Sequence, residues 1–450
     1  MPFSDPSRAA PVPESGPFGA NLFKSGGALA PFGYPAFRAI WIANSVSNVG
    51  SLIQAVAASW VMTELTRSHQ LIAAVSTSNT LPVLLLGLIA GAIADNYDRR
   101  LVMIAAQSAM LVVSGLLALA AWRGDLTPVT LIAATLGIGL GTALNGPAWQ
   151  ASVRQQVGPA DLPQAVALNA ISFNLARSVG PALGGLLISL WQPSLAFALN
   201  SLSFIGMIVV LMRWHPETSP PAREPMFAAI GTGLRFCLGS HPIRRVLIRG
   251  AAFCFAAAAL QALMPVVARD AVGGSGVAYG LMLGAFGFGS VAAAPIVGPV
   301  RRKHGSELVL NAAAVLQVAA LLVLASAHSM SLGMIAALLG GASWVASMTS
   351  LNVAMQLRSP EAILGRCLSL YQSVVFGAMA FGAWAWGFAA DRLGLAGGLR
   401  AGAAWMALTL LLRFVAPMPT REEGRVDLAA TEAAIREIAQ HTPHGSDARA

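Results

Sequence analysis

From residue 37 onward the chain is a succession of apolar stretches separated by short polar turns. Each stretch is long enough to cross ~30 Å of hydrocarbon as a helix. The pattern predicts spans over 37–63, 71–94, 101–122, 128–151, 164–190 and 194–213. After a break it predicts 244–268, 276–299, 306–328, 331–356, 363–390 and 394–417. A transmembrane barrel would alternate apolar and polar residues over ~10 positions, and these runs are apolar throughout. The expected fold is therefore an all-α membrane protein with twelve transmembrane helices in two six-helix bundles.

The break at 214–243 holds Pro216, Pro220, Pro221 and Pro225, then a segment near 226–239 that predicts a short helix. It is expected to act as a cytoplasmic linker between a first bundle, 37–213, and a second, 244–417. Residues 1–36, rich in Pro, Gly, Ser and Ala, are expected to be a disordered cytoplasmic tail. No short apolar region with a small-residue cleavage site precedes the first span, which is expected to act as its own insertion signal. The polar stretch 418–450 is expected to be a second cytoplasmic tail. Within it, 426–440 fits either an amphipathic helix on the membrane surface or a frayed end.

Composition narrows the class. Hydrophobic residues make up 56 % of the 450 and charged residues 10 %, against roughly 25 % charged in a soluble chain. Three cysteines, Cys237, Cys254 and Cys367, are too few for a disulfide scaffold in so long a chain. The net charge of +9 would suit nucleic acid only if gathered on one water-facing patch, and it comes instead in packets between apolar runs. With the N-terminus inside and an even number of spans, 22 of the 28 cations fall in cytoplasmic segments. Five fall in outer loops (Arg67, Arg123, Arg269, Arg392 and Arg400), and Arg177 falls inside a span. This bias puts both termini in the cytoplasm and leaves no role for nucleic acid.

Catalytic signatures are missing. The chain has no G-x-x-x-x-G-K-[ST] nucleotide loop. Its seven histidines do not cluster at ligand spacing, so neither a metal nor a cofactor is expected. There is no nucleophile elbow and no pair of catalytic carboxylates. A membrane enzyme would need such residues to converge, and a sensor or scaffold would carry a sizeable domain outside the membrane.

Arg177 is the cation placed well inside a span. On insertion scales a charge there costs at least ~2.5–3.5 kcal/mol, so it must face protein or a water-filled cavity. Asn169, Phe173 and Arg177 recur every four residues and share a helix face. That face fits a central path attracting an anionic or oxygen-rich substrate, and equally a helix contact in which Arg177 bonds neighbouring carbonyls. Gly180, Pro181, Gly184 and Gly185 fit close helix packing and bending. Asn44, Asn48, Asn145, Gln261, Asn352, Tyr371 and Gln372 are polar residues within spans, and Trp344 is an aromatic one. They are candidates for a midplane cavity or for hydrogen bonding and packing between helices.

A weak internal repeat links the halves. Gly91-Ala-Ile-Ala-Asp-Asn-Tyr-Asp-Arg-Arg100 follows the second span, and Gly298-Pro-Val-Arg-Arg-Lys-His-Gly305 the eighth. The first stretch, through Gly91, Asp95, Arg99 and Arg100, resembles the signature loop of major facilitator superfamily transporters. Ala176-Arg-Ser-Val-Gly-Pro-Ala-Leu-Gly-Gly185 resembles the antiporter motif of that superfamily's exporters. Further matching stretches are Ser47-Asn-Val-Gly50, Leu81-Pro82, Asn145-Gly-Pro-Ala-Trp-Gln150, Ala167–Gly185 and Ser350-Leu-Asn-Val-Ala354. Together they resemble the bacterial exporter branch that includes the enterobactin exporter, the transmembrane secretion effector family. Asn96 stands where the superfamily loop usually has a cation, Asp98 where it often has Gly, and the first span has no carboxylate.

The resemblance implies a monomeric secondary exporter in the bacterial cytoplasmic membrane, working by alternating access as a proton-coupled antiporter. It implies a small-molecule substrate, with siderophores and amphiphilic drug-like compounds as candidates, and membrane lipid as the other partner. A facilitator or importer of a metabolite remains an alternative. It also implies a cytoplasmic gate at Gly91, Asp95, Asp98, Arg99 and Arg100. There Asp95 would face the positive N-terminus of the eleventh span near Gly365, and Arg99 or Arg154 would complete the charge relay. The alternative for Arg99 and Arg100 is a plain topological anchor.

Overall fold

The computed structural model describes residues 27–216, 226–360 and 363–418. The first bundle contains α1 (Pro35–Leu65), α2 (His69–Asn96), α3 (Arg99–Arg123), α4 (Pro128–Ser152), α5 (Leu162–Leu190) and α6 (Pro193–Arg213). A short helix, α7 (Met226–Gly239), follows. The second contains α8 (His241–Asp270), α9 (Gly276–Ala325), α10 (Met330–Gln356), α11 (Leu364–Leu393), α12 (Leu395–Thr409) and the single turn α13 (Leu412–Val415).

Local chemistry sets the helix starts. Ser68, Asp98, Ser275 and Ser329 each accept a backbone N–H from the first turn of the helix they precede, which satisfies a donor the helix cannot. Thr127 and Thr130 form a reciprocal capping box before α4. Proline stands in the first turn of α1, α4, α5, α6 and α8, where its missing N–H costs nothing. Gly124, at φ 79°, closes α3.

Among the described residues, ten helical segments are long and apolar enough to cross a membrane, with α9 counted once. α9 runs for 50 residues and is broken at Gly305, whose φ is 85°, so it supplies two crossings. The basic stretch before Gly305 is helix up to that one residue, tighter than the turn predicted there. α1 is more polar, with Asn44, Ser45, Ser47, Asn48 and Gln54 along its 31 residues. Adding it gives twelve crossing-length segments. Large apolar side chains such as Val129, Leu202 and Phe414 stay exposed, which suits a lipid solvent. The chain is a multi-pass, all-α membrane protein.

Residues 30–33, assigned to the tail by sequence, form a short 3-10 turn. Phe32 packs edge-on against Trp41, 5.0 Å between centroids. Tyr34 donates to Asp161 Oδ2 at 3.0 Å, tying the entry of α1 to the turn before α5. Burial, together with that carboxylate, raises the Tyr34 phenol above its usual pKa. The tail predictions for 1–26 and 419–450 lie outside the described residues.

The helices define two faces. The linker face carries the start of α1, the α2–α3 and α4–α5 turns, and α7. The distal face carries the α1–α2, α3–α4 and α5–α6 turns and the end of α8. The two bundles meet mainly along α2 with α11 and α5 with α9.

A candidate substrate path between two bundles

The α5 motif divides its residues between two partners. A Cβ on Gly180 would lie 2.9 Å from Leu52 Cβ, and one on Gly184 3.2 Å from Ile53 Cα, both on α1. One on Gly185 would lie 2.6 Å from Gly280 Cα on α9. The Pro181 carbonyl sits on the same crossing, 3.0 Å from a Cβ built on Gly280. Gly180 and Gly184 therefore seat α5 in its own bundle, while Gly185 brings it onto the other.

Two turns before that crossing, Arg177 reaches into the second bundle. Its guanidinium carbon lies 5.7 Å from the Phe286 ring centroid on α9 and 5.4 Å from that of Trp344 on α10. Both distances are in the cation–π range. Both rings are buried, while Arg177 is half-buried. The carbonyl contact considered from sequence is replaced by aromatic faces. Phe173, one turn toward the linker face, is 50 % exposed. The Oδ1 atoms of Asn169 and Asn145 are buried without a hydrogen-bond partner. Asn44 and Asn48 on α1, Gln261 on α8 and Gln372 on α11 are half-buried.

Other path candidates point elsewhere. Tyr371 is buried, with its hydroxyl 4.0 Å from Met348 Sδ and its ring against Gly250, all within the second bundle. Asn352 accepts from Gln356 Nε2 one turn on, at 2.5 Å.

At the linker face, Asp98 caps α3 by accepting from the Arg100 N–H at 2.9 Å. Arg100 donates to the carbonyls of Leu211 and Met212, at 2.7 and 2.8 Å. Arg99 donates to those of Ala94 and Ala151, both at 3.3 Å. Each guanidinium thus meets the carbonyl end of helices in its own bundle, where cations are favoured. Arg154 is exposed. Gly91 faces α11, where an added Cβ would touch Ser369 Oγ at 3.4 Å. The Asp95 side chain lies outside the described residues.

Two polar clusters escape sequence reasoning. Arg249, counted there among the cytoplasmic cations, is only 4 % exposed and lies inside α8. It donates to Glu307 Oε1 at 2.8 Å and Asn311 Oδ1 at 3.2 Å. Glu307 Oε2 accepts the Met418 N–H at 2.6 Å, holding the chain after α13 against α9. In the first bundle, Gln54 Oε1 accepts from Ser114 on α3 and from Asn200 on α6, so Gln54 is a bundle-core residue. Arg249 gave a weak signal, as the sixth residue of the span predicted over 244–268. Nothing in the sequence pairs Gln54 with Asn200.

Among the described residues no group of three or more His, Cys, Asp or Glu is placed to hold a metal, and the three cysteines are free and buried.

The chain is 26 % identical over 270 residues to macrolide efflux protein A of Streptococcus pyogenes, covering 56 % of this chain and 66 % of that one, just under two thirds. It is 27 % identical over 347 residues to the enterobactin exporter EntS of Salmonella choleraesuis, covering 75 % and 81 %. Its fold is similar to an inward-facing, unoccupied bacterial homolog of the human lysosomal transporter Spinster, at TM-score 0.64 and 12 % identity over 88 % of this chain and 97 % of that one. It is also similar to the nucleoside transporter NupG, at TM-score 0.68 and 13 % identity over 84 % and 99 %. The family model described as transmembrane secretion effector matches residues 26–441. With its α5 motif, linker-face loop and two-bundle architecture, the chain belongs to the transmembrane secretion effector family of the major facilitator superfamily.

Proposed function

We propose that the protein exports a small molecule across the bacterial cytoplasmic membrane by alternating access, as a proton-coupled antiporter. The observation that carries this is Arg177, a cation of one bundle held between two aromatic rings of the other. A charge at that junction is sensitive to both the ligand in the path and the angle between the bundles. Its guanidinium suits a substrate with anionic or oxygen-rich groups, a class that includes siderophores. The half-exposed Phe173 supports a path open toward the linker face, and the excess of cations in linker-face segments supports a cytoplasmic setting for that face. The bundles 37–213 and 244–417 would rock about this site, with 214–243 as the linker and both tails cytoplasmic.

The cytoplasmic gate is proposed at Gly91 and Asp95 from the family resemblance, with Asp98, Arg99 and Arg100 holding the loop in shape. Asp95→Asn is expected to slow transport severalfold while leaving membrane insertion intact.

The test is to follow protons and substrate together in inverted vesicles. Siderophore-like and amphiphilic compounds would be supplied in turn against an imposed pH gradient. A compound that accumulates and dissipates the gradient supports proton-coupled export. Accumulation with the gradient untouched, or sustained by sodium alone, rejects the proton. No accumulation by folded protein for any compound counts against export of these classes.

A further inference from the structure

The α1–α2 turn on the distal face is gripped by two residues of the other bundle, with opposite charges. Arg269, at the end of α8, donates through Nη1 to the carbonyls of Thr63 and Thr66, at 2.5 and 3.1 Å. These are carbonyls at the C-terminal end of α1. Asp391, near the end of α11, takes the N-terminal end of α2. Its Oδ1 accepts from the His69 N–H at 2.7 Å, and its Oδ2 from the Gln70 N–H at 3.1 Å and from Ser68 Oγ at 2.8 Å. His69 Nδ1 also lies 2.9 Å from Oδ1. Each charge has the sign its helix end attracts: a cation at the carbonyl end, an anion at the amide end. Asp270 pairs with Arg269 through both carboxylate oxygens, at 2.6 and 2.9 Å, and lies 3.8 Å from Arg67. Arg392 stacks on Phe388, 5.1 Å from its centroid.

The sequence around Asp391 repeats the linker-face signature. Gly91-Ala-Ile-Ala-Asp95 ends α2, and Gly387-Phe-Ala-Ala-Asp391 lies near the end of α11, with the same G-x-x-A-D spacing. The glycines are reciprocal. Gly91 of α2 faces Ser369 of α11, and a Cβ on Gly387 of α11 would lie 2.6 Å from Ala73 Cβ and 3.0 Å from Gln70 Cα of α2.

We propose that Asp391 and Arg269 form the distal gate, a two-point clasp from the second bundle on the α1–α2 turn that must release for the distal face to open. Asp391 grips the start of α2 as Asp95, in the family resemblance, faces the start of α11. One spacing, placed at opposite ends of the same helix pair, serves both faces. The clasp works as a gate only if the bundles rock, and so rests on the alternating-access function proposed above.

The test reads bundle separation directly, without transport. Full-length protein in lipid nanodiscs, with Cys237, Cys254 and Cys367 replaced by serine, would carry spin labels through Val129→Cys and Ser331→Cys. These positions are exposed at the distal starts of α4 and α10. The distance distribution is expected to hold mainly a short, closed population. Asp391→Asn and Arg269→Gln should each raise the long-distance population roughly tenfold, and Asp391→Glu should keep it low. Thermal melting checks each variant's fold, and Ser68→Ala, which removes one contact, is a milder probe if Asp391→Asn does not fold. An unchanged distribution in folded Asp391→Asn and Arg269→Gln overturns the clasp, while leaving export to its own vesicle assay. A shift in these variants without export by the parent protein supports the clasp and counts against the proposed function alone.

Discussion

Gly185 and Gly280 meet backbone to backbone where α5 crosses α9, so that a Cβ on either would sit 2.6–2.7 Å from the other's Cα. No side chain separates the two bundles at this point. Lipid tails supply little hydrophobic drive between helices, so their association depends on close packing of this kind. The crossing fixes how near Arg177 comes to Phe286 and Trp344 two turns away.

Gly185→Ala is therefore expected to force α5 and α9 apart, at a cost of about 1–3 kcal/mol. Gly206→Ala, where an added Cβ meets nothing within 4 Å, should be neutral. Melting of purified protein in detergent compares the two, and equal melting temperatures would show that the crossing is loose.

Arg177→Ala should reduce export at least tenfold or change which compounds are carried. Arg177→Lys should recover only part of it, because an ammonium lacks the planar guanidinium that lies over aromatic faces. Efflux rates normalised to protein in the membrane give the comparison. Normal turnover with a lower yield would make Arg177 a packing residue.

Glu307→Gln leaves Arg249 buried without its carboxylate. Breaking a buried pair costs about 3–5 kcal/mol, and the partial exposure of Glu307, at 33 %, puts the expectation near the lower end. Replacing both residues with apolar ones, Arg249→Met with Glu307→Leu, should recover most of that loss. A double variant as unstable as the single one would show that the Met418 contact, not the ion pair, carries the stability.

Gln54→Leu deprives Ser114 and Asn200 of their common acceptor deep in the first bundle. Ser114 can still donate to the Phe197 carbonyl, at 3.0 Å, so the expected cost is about 1–3 kcal/mol for the stranded Asn200 amide, read as a lower melting temperature. Gln261→Leu is the comparison on α8, where no hydrogen-bonded cluster of this kind is seen among the described residues. If both variants melt alike, the Gln54 network adds nothing to stability.

How far the sequence reached differs between fold and site. The α5 glycines were legible because few residue types let helices approach so closely. Arg177 stood out because a cation within a span is costly, but its partners lie more than a hundred residues away on two other helices. Arg249 was hidden in a basic cluster at a helix start, and the helix proved to begin early enough to bury it. Tyr371 reads as a path residue by its place in a span, yet its ring turns into its own bundle.

Hydropathy laid out the succession of membrane-crossing helices, because the backbone in hydrocarbon must satisfy its own hydrogen bonds and a long apolar run has little choice but helix; the structure added the kink at Gly305 that splits α9 in two. Charge distribution supplied the expected orientation through the same solvent contrast. Tertiary structure decided which face of each helix turns inward and which distant residues meet: Arg177 with Trp344, Gln54 with Asn200, Asp391 with the start of α2. These contacts depend on helix rotation and crossing set by packing around all of each helix at once, and an apolar run that is hydrophobic on every side carries almost no periodic signal to reveal them.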